Sequence, residues 1–280
     1  MKKTDEKILE ACSRVYRFMG AKEIAGLAGL KYVTVNQRVA HIEKAGLLVS
    51  ESYGKGKRYR FNFDFDPARK LRLFSDSLFL YSTETIKSRL ETLLAKSRKN
   101  DNIVSIIVYG SCLDTDEFND VDILVVSKEA FNIDGFDVFN LNPDSFRKLL
   151  SLGELRLQAA LLNGRIFLDR EFIFSYLNND LPVVPSDEIV SAMNKKIVDE
   201  VRLLDEEKDF NEAKKRLIRI LETKGQLAFS KNRQAIPSRP NFTAGLKQLD
   251  HDLYEKIRQV QLIKTKNNFW EYYYQMKESL

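Results

Sequence analysis

Two apolar runs separated by a polar loop constrain the fold of this chain more than any other stretch. Residues 106–109 are too short a run for a helix and rich in β-branched side chains, which predicts a buried strand. The dipeptide at residues 110–111, Gly-Ser, ends this run, and residues 121–126 form a second predicted strand. Asp120 and Asp122 lie at its start, two positions apart, so their side chains point to the same face.

Two carboxylates on one face repel each other unless a positive group lies between them, and a divalent metal is the common solution in proteins. The glycine turn beside them leaves backbone N–H groups available to an anion. Together these features predict a site for a metal and a phosphate. The alternative is a solvated acidic loop that precedes an ordinary strand.

A third strand is predicted at residues 135–139, with Asp137 on the face opposite to Phe136 and Val138. Two helices at about 144–151 and 154–162, a short strand at 165–168 and a helix at 170–177 follow. Asp137 is the third candidate metal ligand. Its alternative is an exposed polar residue on an edge strand.

Charge is unevenly distributed around this central region. The chain of 280 residues has a net charge of +5, but residues 101–185 contain six Lys/Arg and 14 Asp/Glu. Residues 1–66 and 67–100 each carry a net charge of +5, and residues 186–280 carry +3. Basic terminal regions favour a nucleic-acid or phosphate partner, and the acidic centre favours a cation.

Composition predicts a globular cytoplasmic protein. Hydrophobic residues make up 44% of the chain and charged residues 30%. No apolar stretch is long enough for a membrane span, and the first residues contain acids where a signal peptide would be apolar. Cys12 and Cys112 are too few for a disulfide framework or a zinc site, and both are expected to be free thiols.

The first 66 residues show the pattern of three helices followed by a basic hairpin. Apolar periodicity predicts helices at residues 4–19, 22–28 and 34–45, with Gly20 and Gly46 as helix ends. Residues 47–49 begin a strand and residues 58–63 alternate as the return strand, on either side of the turn Tyr-Gly-Lys-Gly-Lys.

This segment resembles the winged helix-turn-helix of transcription regulators. The resemblance rests on the second helix AKEIAGLAGL, the third helix TVNQRVAHIEKAGLL and the hairpin GKGKRYRF. It implies that the third helix enters the major groove of double-stranded DNA and that the hairpin contacts phosphates. The residues implied in DNA binding are Asn36, Gln37, Arg38, His41, Lys55, Lys57 and Arg58. The alternative is a protein-contact module.

The remaining sequence is mostly helical. Residues 68–80 and 83–97 predict two amphipathic helices that connect the N-terminal region to the central strands. Residues 181–185, LPVVP, are the best linker candidate. Beyond them, helical patterns at 187–204, 211–229, 244–262 and 264–278 predict a four-helix bundle with an aromatic last helix, and residues 230–243 read as a polar loop.

The central region resembles the minimal nucleotidyltransferase domain of the DNA polymerase β superfamily. The resemblance rests on the order strand, Gly110-Ser111, Asp120-Val121-Asp122, then Asp137 on the next strand. It implies that Gly110 and Ser111 bind the phosphates of a nucleoside triphosphate and that Mg²⁺ or Mn²⁺ is held by the three aspartates. It also implies attack of an acceptor hydroxyl on the α-phosphorus, with pyrophosphate leaving. The loop between Ser111 and Asp120 lacks the arginine usual in that family.

The expected fold class is therefore α+β, in several domains. The expected domains are a winged helix at 1–65, a helical connector at 66–82, a nucleotidyltransferase-fold domain at 83–182 and a helical bundle at 186–280. The predicted function is transfer of a nucleoside monophosphate, with ATP as the expected donor, to a protein, small-molecule or nucleic-acid hydroxyl. The alternative is a transcriptional regulator or antitoxin-like DNA-binding protein whose core only senses nucleotide. Whether the chain forms a homodimer is left open.

Overall fold

The computed structural model describes residues 2–54, 56–115, 118, 120–177, 184–232 and 239–280. The chain divides into two compact units, one of Met1–Ser151 and Leu155–Pro182 and the other of Leu152–Glu154 and Val183–Leu280. Within the described part, no helix is long and apolar enough to cross a bilayer.

The first unit begins with three helices and a small antiparallel sheet. The elements are α1 (Lys3–Ser13), β1 (Met19–Gly20), α2 (Ala21–Ala28), α3 (Tyr32–Lys44), β2 (Leu48–Tyr53) and β3 (Gly56–Phe61). Strand β3 lies between β1 and β2. The three helices pack through the apolar positions that the periodicity predicts, with Ile8, Ile24, Val35 and Val39 fully buried. The interpretation of this module as a winged helix stays a prediction.

The first helix is shorter than the predicted helix over 4–19. Helix α1 ends at Ser13, and Met19 pairs with Tyr59 of β3. Tyr16 and Met19 are buried, as the apolar pattern predicts. Their backbone is not helical, because contacts with distant segments determine its conformation. The Tyr16 hydroxyl donates to the carbonyl of Leu161 at 2.8 Å, and its ring lies 5.6 Å from that of Phe63.

The second part of this unit is a four-stranded sheet with helices. Its elements are α4 (Asp66–Ser82), α5 (Glu84–Arg98), β4 (Ile103–Tyr109), β5 (Val121–Ser127), β6 (Phe136–Leu141), α6 (Pro143–Leu152), α7 (Leu155–Asn163), β7 (Arg165–Asp169) and α8 (Phe174–Leu177). The strand order is β6-β5-β4-β7. Strands β5 and β6 are parallel, and the other two pairs are antiparallel. The predicted α+β class with a mixed sheet is confirmed.

The central strands β4 and β5 are buried along almost their whole length, since Ile106, Val108, Ile123 and Val125 are fully buried. Helix α5 packs on the same core through Leu90 and Leu93. Burial of both strands fixes their register, because a slip by one residue would turn the apolar side chains to the other face. The ends of the two strands are thereby held at fixed positions.

The last helix of this unit also differs from the prediction over 170–177. Helix α8 covers only Phe174–Leu177. The Asp169 carboxylate accepts the backbone N–H groups of Phe172 at 3.1 Å and Ile173 at 2.9 Å, so the chain turns there before the helix begins.

A buried charge cluster joins the N-terminal helices to the sheet within the first unit. Asp76 of α4 is fully buried and accepts from Arg72 Nε at 2.7 Å and from Arg14 Nη2 at 2.5 Å. Arg165 Nη1 lies 3.5 Å from its carboxylate, and the backbone N–H of Ile166 donates to it at 2.9 Å. One carboxylate thus binds groups from α4, from β7 and from Arg14, which directly follows α1.

The second unit is helical, with α9 (Asp187–Glu206), α10 (Phe210–Lys231), α11 (Arg239–Leu249), α12 (His251–Leu262) and α13 (Lys266–Met276). The predicted count of four is wrong, because the stretch 244–262 is interrupted at Asp250. The Asp250 side chain accepts the N–H of Leu253 at 3.0 Å and so begins α12. Of the predicted loop at 230–243, residues 233–238 lie outside the described residues, and Arg239 onward is helical.

The aromatic last helix packs inward as expected. Phe269 and Tyr273 of α13 are fully buried, and Phe210 of α10 lies edge-on to Phe269 with 5.7 Å between ring centroids. The Tyr273 hydroxyl donates to Asp205 at 2.8 Å. These contacts account for Phe269 and Tyr273 by packing, whereas Tyr274 is 61% exposed.

Candidate functional site

Three polar side chains form a row across the ends of three neighbouring strands. Tyr109 of β4 pairs with Asp122 of β5, and Asp122 pairs with Asp137 of β6. Directly paired residues on adjacent strands project to the same face, so the two carboxylates are neighbours. The structure therefore brings together two of the three aspartates that the sequence singles out.

The absence of a side chain at Gly110 allows the Asp122 carboxyl to lie against the backbone there. Its φ of 85° and ψ of −163° lie in a region that is essentially restricted to glycine. A Cβ atom on Gly110 would lie 2.8 Å from Asp122 Cγ and overlap its carboxyl oxygen. Ser111 follows in a tight turn over Ser111–Leu113, where the Leu113 N–H donates to the Gly110 carbonyl at 3.2 Å. The glycine is thus required both by the turn and by the side chain that lies on it.

The environment of Asp122 disfavours its charged form. Burial, and after it the negative charges of Asp137 and Asp120, together raise the pKa of Asp122 from its ordinary value of 3.8 to about 6. The Arg156 guanidinium opposes this shift. An aspartate with such a pKa ionises less readily than one in water.

Arg156 is the residue that the sequence analysis missed. It lies in the first turn of α7, and its Nη2 is 2.8 Å from Asp137 Oδ2 and 4.0 Å from Asp122 Oδ1. Its Nε donates to the Tyr109 hydroxyl at 2.5 Å. The loop after Ser111 contains no arginine, but Arg156 of α7 places a guanidinium at the same strand ends. No local motif signals this, because the contact is made between distant parts of the chain.

Asp120 takes a different position from the other two aspartates. It is exposed and lies just before β5, while its charge still raises the pKa of Asp122. Among the described residues, no group of three or more His, Cys, Asp or Glu side chains has an arrangement that would hold a metal ion. The structure places Asp122 and Asp137 side by side with Asp120 exposed before β5, and metal binding by the three aspartates stays a prediction. Asp116, Glu117 and Asn119 of the same loop lie outside the described residues.

The predicted DNA-contacting residues of α3 separate into two groups. Asn36, Gln37 and His41 are exposed on one side of the helix. Arg38 instead forms a two-bond ion pair with Asp5 of α1, at 2.7 Å for each bond. At about 100° per residue, Arg38 lies roughly 60° from the buried Val35 and so faces α1. Arg38 therefore has a partner within the module, and its contact with DNA stays a prediction.

The hairpin residues are also partly engaged. Lys57 Nζ lies 3.1 Å from a carboxylate oxygen of Glu43 on α3, and the Arg58 guanidinium carbon lies 3.3 Å from the centroid of the Tyr53 ring. Lys55 lies outside the described residues. An open cleft of about 640 Å³ adjoins the hairpin and is lined by Gly20, Lys22, Glu23, Tyr53, Gly56, Lys57 and Arg58. Three of its lining side chains are cationic.

Comparison with known proteins bears on the fold only weakly. No family model matches the chain, and no curated protein matches it. A solved structure to which the chain is similar is a nucleotidyltransferase-like protein from Exiguobacterium sibiricum 255-15, with 15% sequence identity and a TM-score of 0.33. The match covers 65% of this chain and 69% of that one. At this TM-score the function of that protein is not transferred to this chain.

Proposed function

We propose that the chain is a metal-dependent nucleotidyltransferase that transfers a nucleoside monophosphate from an NTP to an acceptor hydroxyl. The observation that supports this best is the pairing of Asp122 with Asp137 on parallel strands, with Asp122 lying over the Gly110 turn. Two carboxylates beside a glycine turn provide for both a cation and a phosphate. ATP is the proposed donor.

The two paired carboxylates fit a Mg²⁺ or Mn²⁺ ion. Mg²⁺ is commonly bound through one or two carboxylates together with the phosphates of the substrate, so a third aspartate is not needed beforehand. The raised pKa of Asp122 indicates an unmet need for positive charge at this place. Bound there, the ion would neutralise phosphate charge and polarise the α-phosphorus. Asp120 is exposed beside the pair, and in this proposal it contributes through its negative charge.

The protein's own groups have distinct tasks in the proposed reaction. The turn at Gly110 and Ser111 lets the backbone approach the phosphates closely. Asp137 is 46% exposed and is the carboxylate that an acceptor hydroxyl can reach, so it takes the proton of that hydroxyl. Asp122, only 27% exposed, would be a ligand of the cation. Phosphoryl transfer needs mainly such positioning and charge neutralisation.

The test is incubation with each α-labelled NTP and Mg²⁺, followed by measurement of pyrophosphate and a search for label on the protein or on added acceptors. The expected result is Mg²⁺-dependent pyrophosphate release that EDTA abolishes. The variants Asp122→Asn and Asp137→Asn should lose it. Absence of NTP binding in the presence of Mg²⁺, with the protein folded, would contradict the proposal.

A second function is favoured by the α3 surface. Asn36, Gln37 and His41 are exposed side by side, and the cationic Lys57 and Arg58 lie on the adjacent hairpin. We propose that this module is a winged helix that binds double-stranded DNA, either to place the transferase on DNA or as a regulator whose core only senses nucleotide. Retardation of duplex DNA at low salt, abolished as salt is raised, is the expected outcome. Failure to retard any duplex at low salt would contradict it.

A further inference from the structure

The side chain of Arg156 is held by three different contacts at the strand ends. Its Nε donates to the Tyr109 hydroxyl at 2.5 Å, and its Nη2 lies 2.8 Å from Asp137 Oδ2. The guanidinium carbon also lies 4.9 Å from the centroid of the Phe139 ring. These contacts place one positive charge against the pair formed by Asp122 and Asp137.

The charges at this site do not balance. Asp122 and Asp137 together would carry two negative charges, and the guanidinium supplies one positive charge. Arg156 also lies in the first turn of α7, where the helix dipole disfavours a cation. The two carboxylates offset this unfavourable dipole, and a divalent cation would neutralise them more completely than one guanidinium does.

The ion pair is open to exchange. The side chains of Arg156 and Asp137 are 38% and 46% exposed, so water reaches the Asp137 carboxylate, whereas the Arg156 Nη2 atom itself is buried. Water and salt screen the exposed carboxylate side of this pair, which lowers the cost of separating it. The Arg156 side chain is long and flexible, and it can leave the carboxylates by rotation about its own bonds without movement of the strands.

We propose that Arg156 competes with the divalent cation for Asp122 and Asp137, neutralising the pair until the ion displaces it. This inference rests on the proposed function, since it concerns the same two carboxylates. It assigns to Arg156 a positioning role: it keeps the two carboxylates together when no ion is bound and sets the ion concentration at which the site fills.

The test is titration of the full-length protein with Mn²⁺ alone, without nucleotide, at pH 7.5, with bound ion measured by electron paramagnetic resonance. Arg156→Gln should lower the Kd for Mn²⁺ by about tenfold or more, because the competing charge is gone. Arg147→Gln is a matched control, since Arg147 makes the same kinds of contact with Asp144, Tyr176 and Phe172 away from the strand ends. Its Kd should equal that of the wild type.

A second variant covers the case in which Arg156→Gln does not fold. Tyr109→Phe removes only the hydroxyl that anchors Nε, so it should also lower the Kd for Mn²⁺, by about two- to fivefold, since the guanidinium is held less firmly. An unchanged or higher Kd in both folded variants would overturn the role of Arg156 while leaving the metal site intact. No Mn²⁺ binding by wild type and variants alike would overturn the metal site itself, and the inference with it.

Discussion

Asp122 and Asp137 lie directly opposite each other on two parallel strands, at the point where both strands begin. The arrangement follows from the burial of β5 and from its register with β6. It places two acids side by side, and Asp122 responds with a pKa raised to about 6 by burial and by its neighbour. The Arg156 guanidinium compensates for part of this charge, so a metal ion bound as proposed would compete with it for the same two carboxylates.

The first prediction concerns the unequal contributions of Asp122 and Asp120 to turnover. Asp122→Asn should reduce NTP turnover by about 100-fold or more, because it removes charge from the buried member of the pair. Asp120→Asn should cost about tenfold or less, since Asp120 is exposed and acts on Asp122 only through its charge. Steady-state pyrophosphate release measures both. Equal losses in the two variants would contradict the paired site.

The second prediction tests the contact between Gly110 and Asp122. Gly110→Ala should reduce turnover by about tenfold or more, because the new Cβ displaces the Asp122 carboxyl. Gly135→Ala is the matched control: Gly135 has a φ of +80° but nothing within 4 Å of an added Cβ. Both variants should lose about 1–2 kcal/mol of stability from the unfavourable φ.

Thermal unfolding and turnover separate the two effects of these glycine substitutions. Both variants should lose a similar amount of stability, but only Gly110→Ala should also lose turnover under conditions in which the protein is folded. Equal turnover by the two alanine variants would show that the function of the Asp122 carboxyl does not depend on the absence of a Cβ atom at Gly110.

The sequence predicts those parts of the fold that depend on local pattern. Strands β4, β5 and β6 stand out because their apolar runs are short and bounded by glycine or acidic residues, and they contain the positions of Asp122 and Asp137. Helices α4 and α5 are likewise predicted within two residues at each end. Where one face or one run of side chains decides the structure, periodicity is enough.

What the sequence misses depends on contacts between distant segments. The backbone at Met19 is set by pairing with β3, and the guanidinium at the strand ends comes from α7. The direction of Arg38 depends on Asp5, which lies on another helix. The sequence around an apolar or charged residue does not depend on which distant residue it contacts. Such contacts can therefore be identified only in the folded structure.

The third prediction separates a structural role of Arg38 from a DNA-binding one. The hydrogen bonds from Arg38 hold the pKa of Asp5 below its ordinary value of 3.8. A lowered pKa in the folded state stabilises the protein above about pH 4 and loses this effect as the pH falls through the folded pKa. Asp5→Asn should therefore lower the melting temperature at pH 7, and the difference from wild type should shrink below about pH 4.

The matched control for Asp5 is Glu6→Gln, which removes the same charge from the same turn of α1 without touching Arg38. Glu6 is exposed, so this variant should melt close to the wild type at both pH values. Thermal unfolding followed by circular dichroism measures the series. A pH-independent difference for Asp5→Asn would contradict the ion pair with Arg38.

The fourth prediction concerns the buried cluster around Asp76. Asp76→Asn should destabilise the protein by about 3–5 kcal/mol, because it leaves the buried Arg72 without its counter-charge. Asp66→Asn on the same helix removes an exposed carboxylate bound to Lys70 at 2.7 Å and should leave stability unchanged. Urea unfolding compares the two variants. Equal stability of both would show that the cluster does not hold α4 to α1 and β7.

The fifth prediction concerns duplex binding by the proposed winged helix. Neutralising Lys57 or Arg58 with glutamine should reduce the slope of log K against log salt by about one for each phosphate that is no longer neutralised, with a similar effect on all sequences. Lys70→Gln is the control, because it removes an equal charge from α4, away from α3 and the hairpin.

Asn36→Ala or Gln37→Ala should instead weaken specific binding by about 1–3 kcal/mol while leaving the salt slope unchanged, because these exposed, uncharged side chains would contact bases in the proposed complex. Fluorescence anisotropy with labelled duplexes at several salt concentrations measures all the variants. If Lys70→Gln changes the slope as much as Lys57→Gln does, the attraction comes from net charge alone, and the hairpin has no specific part in binding.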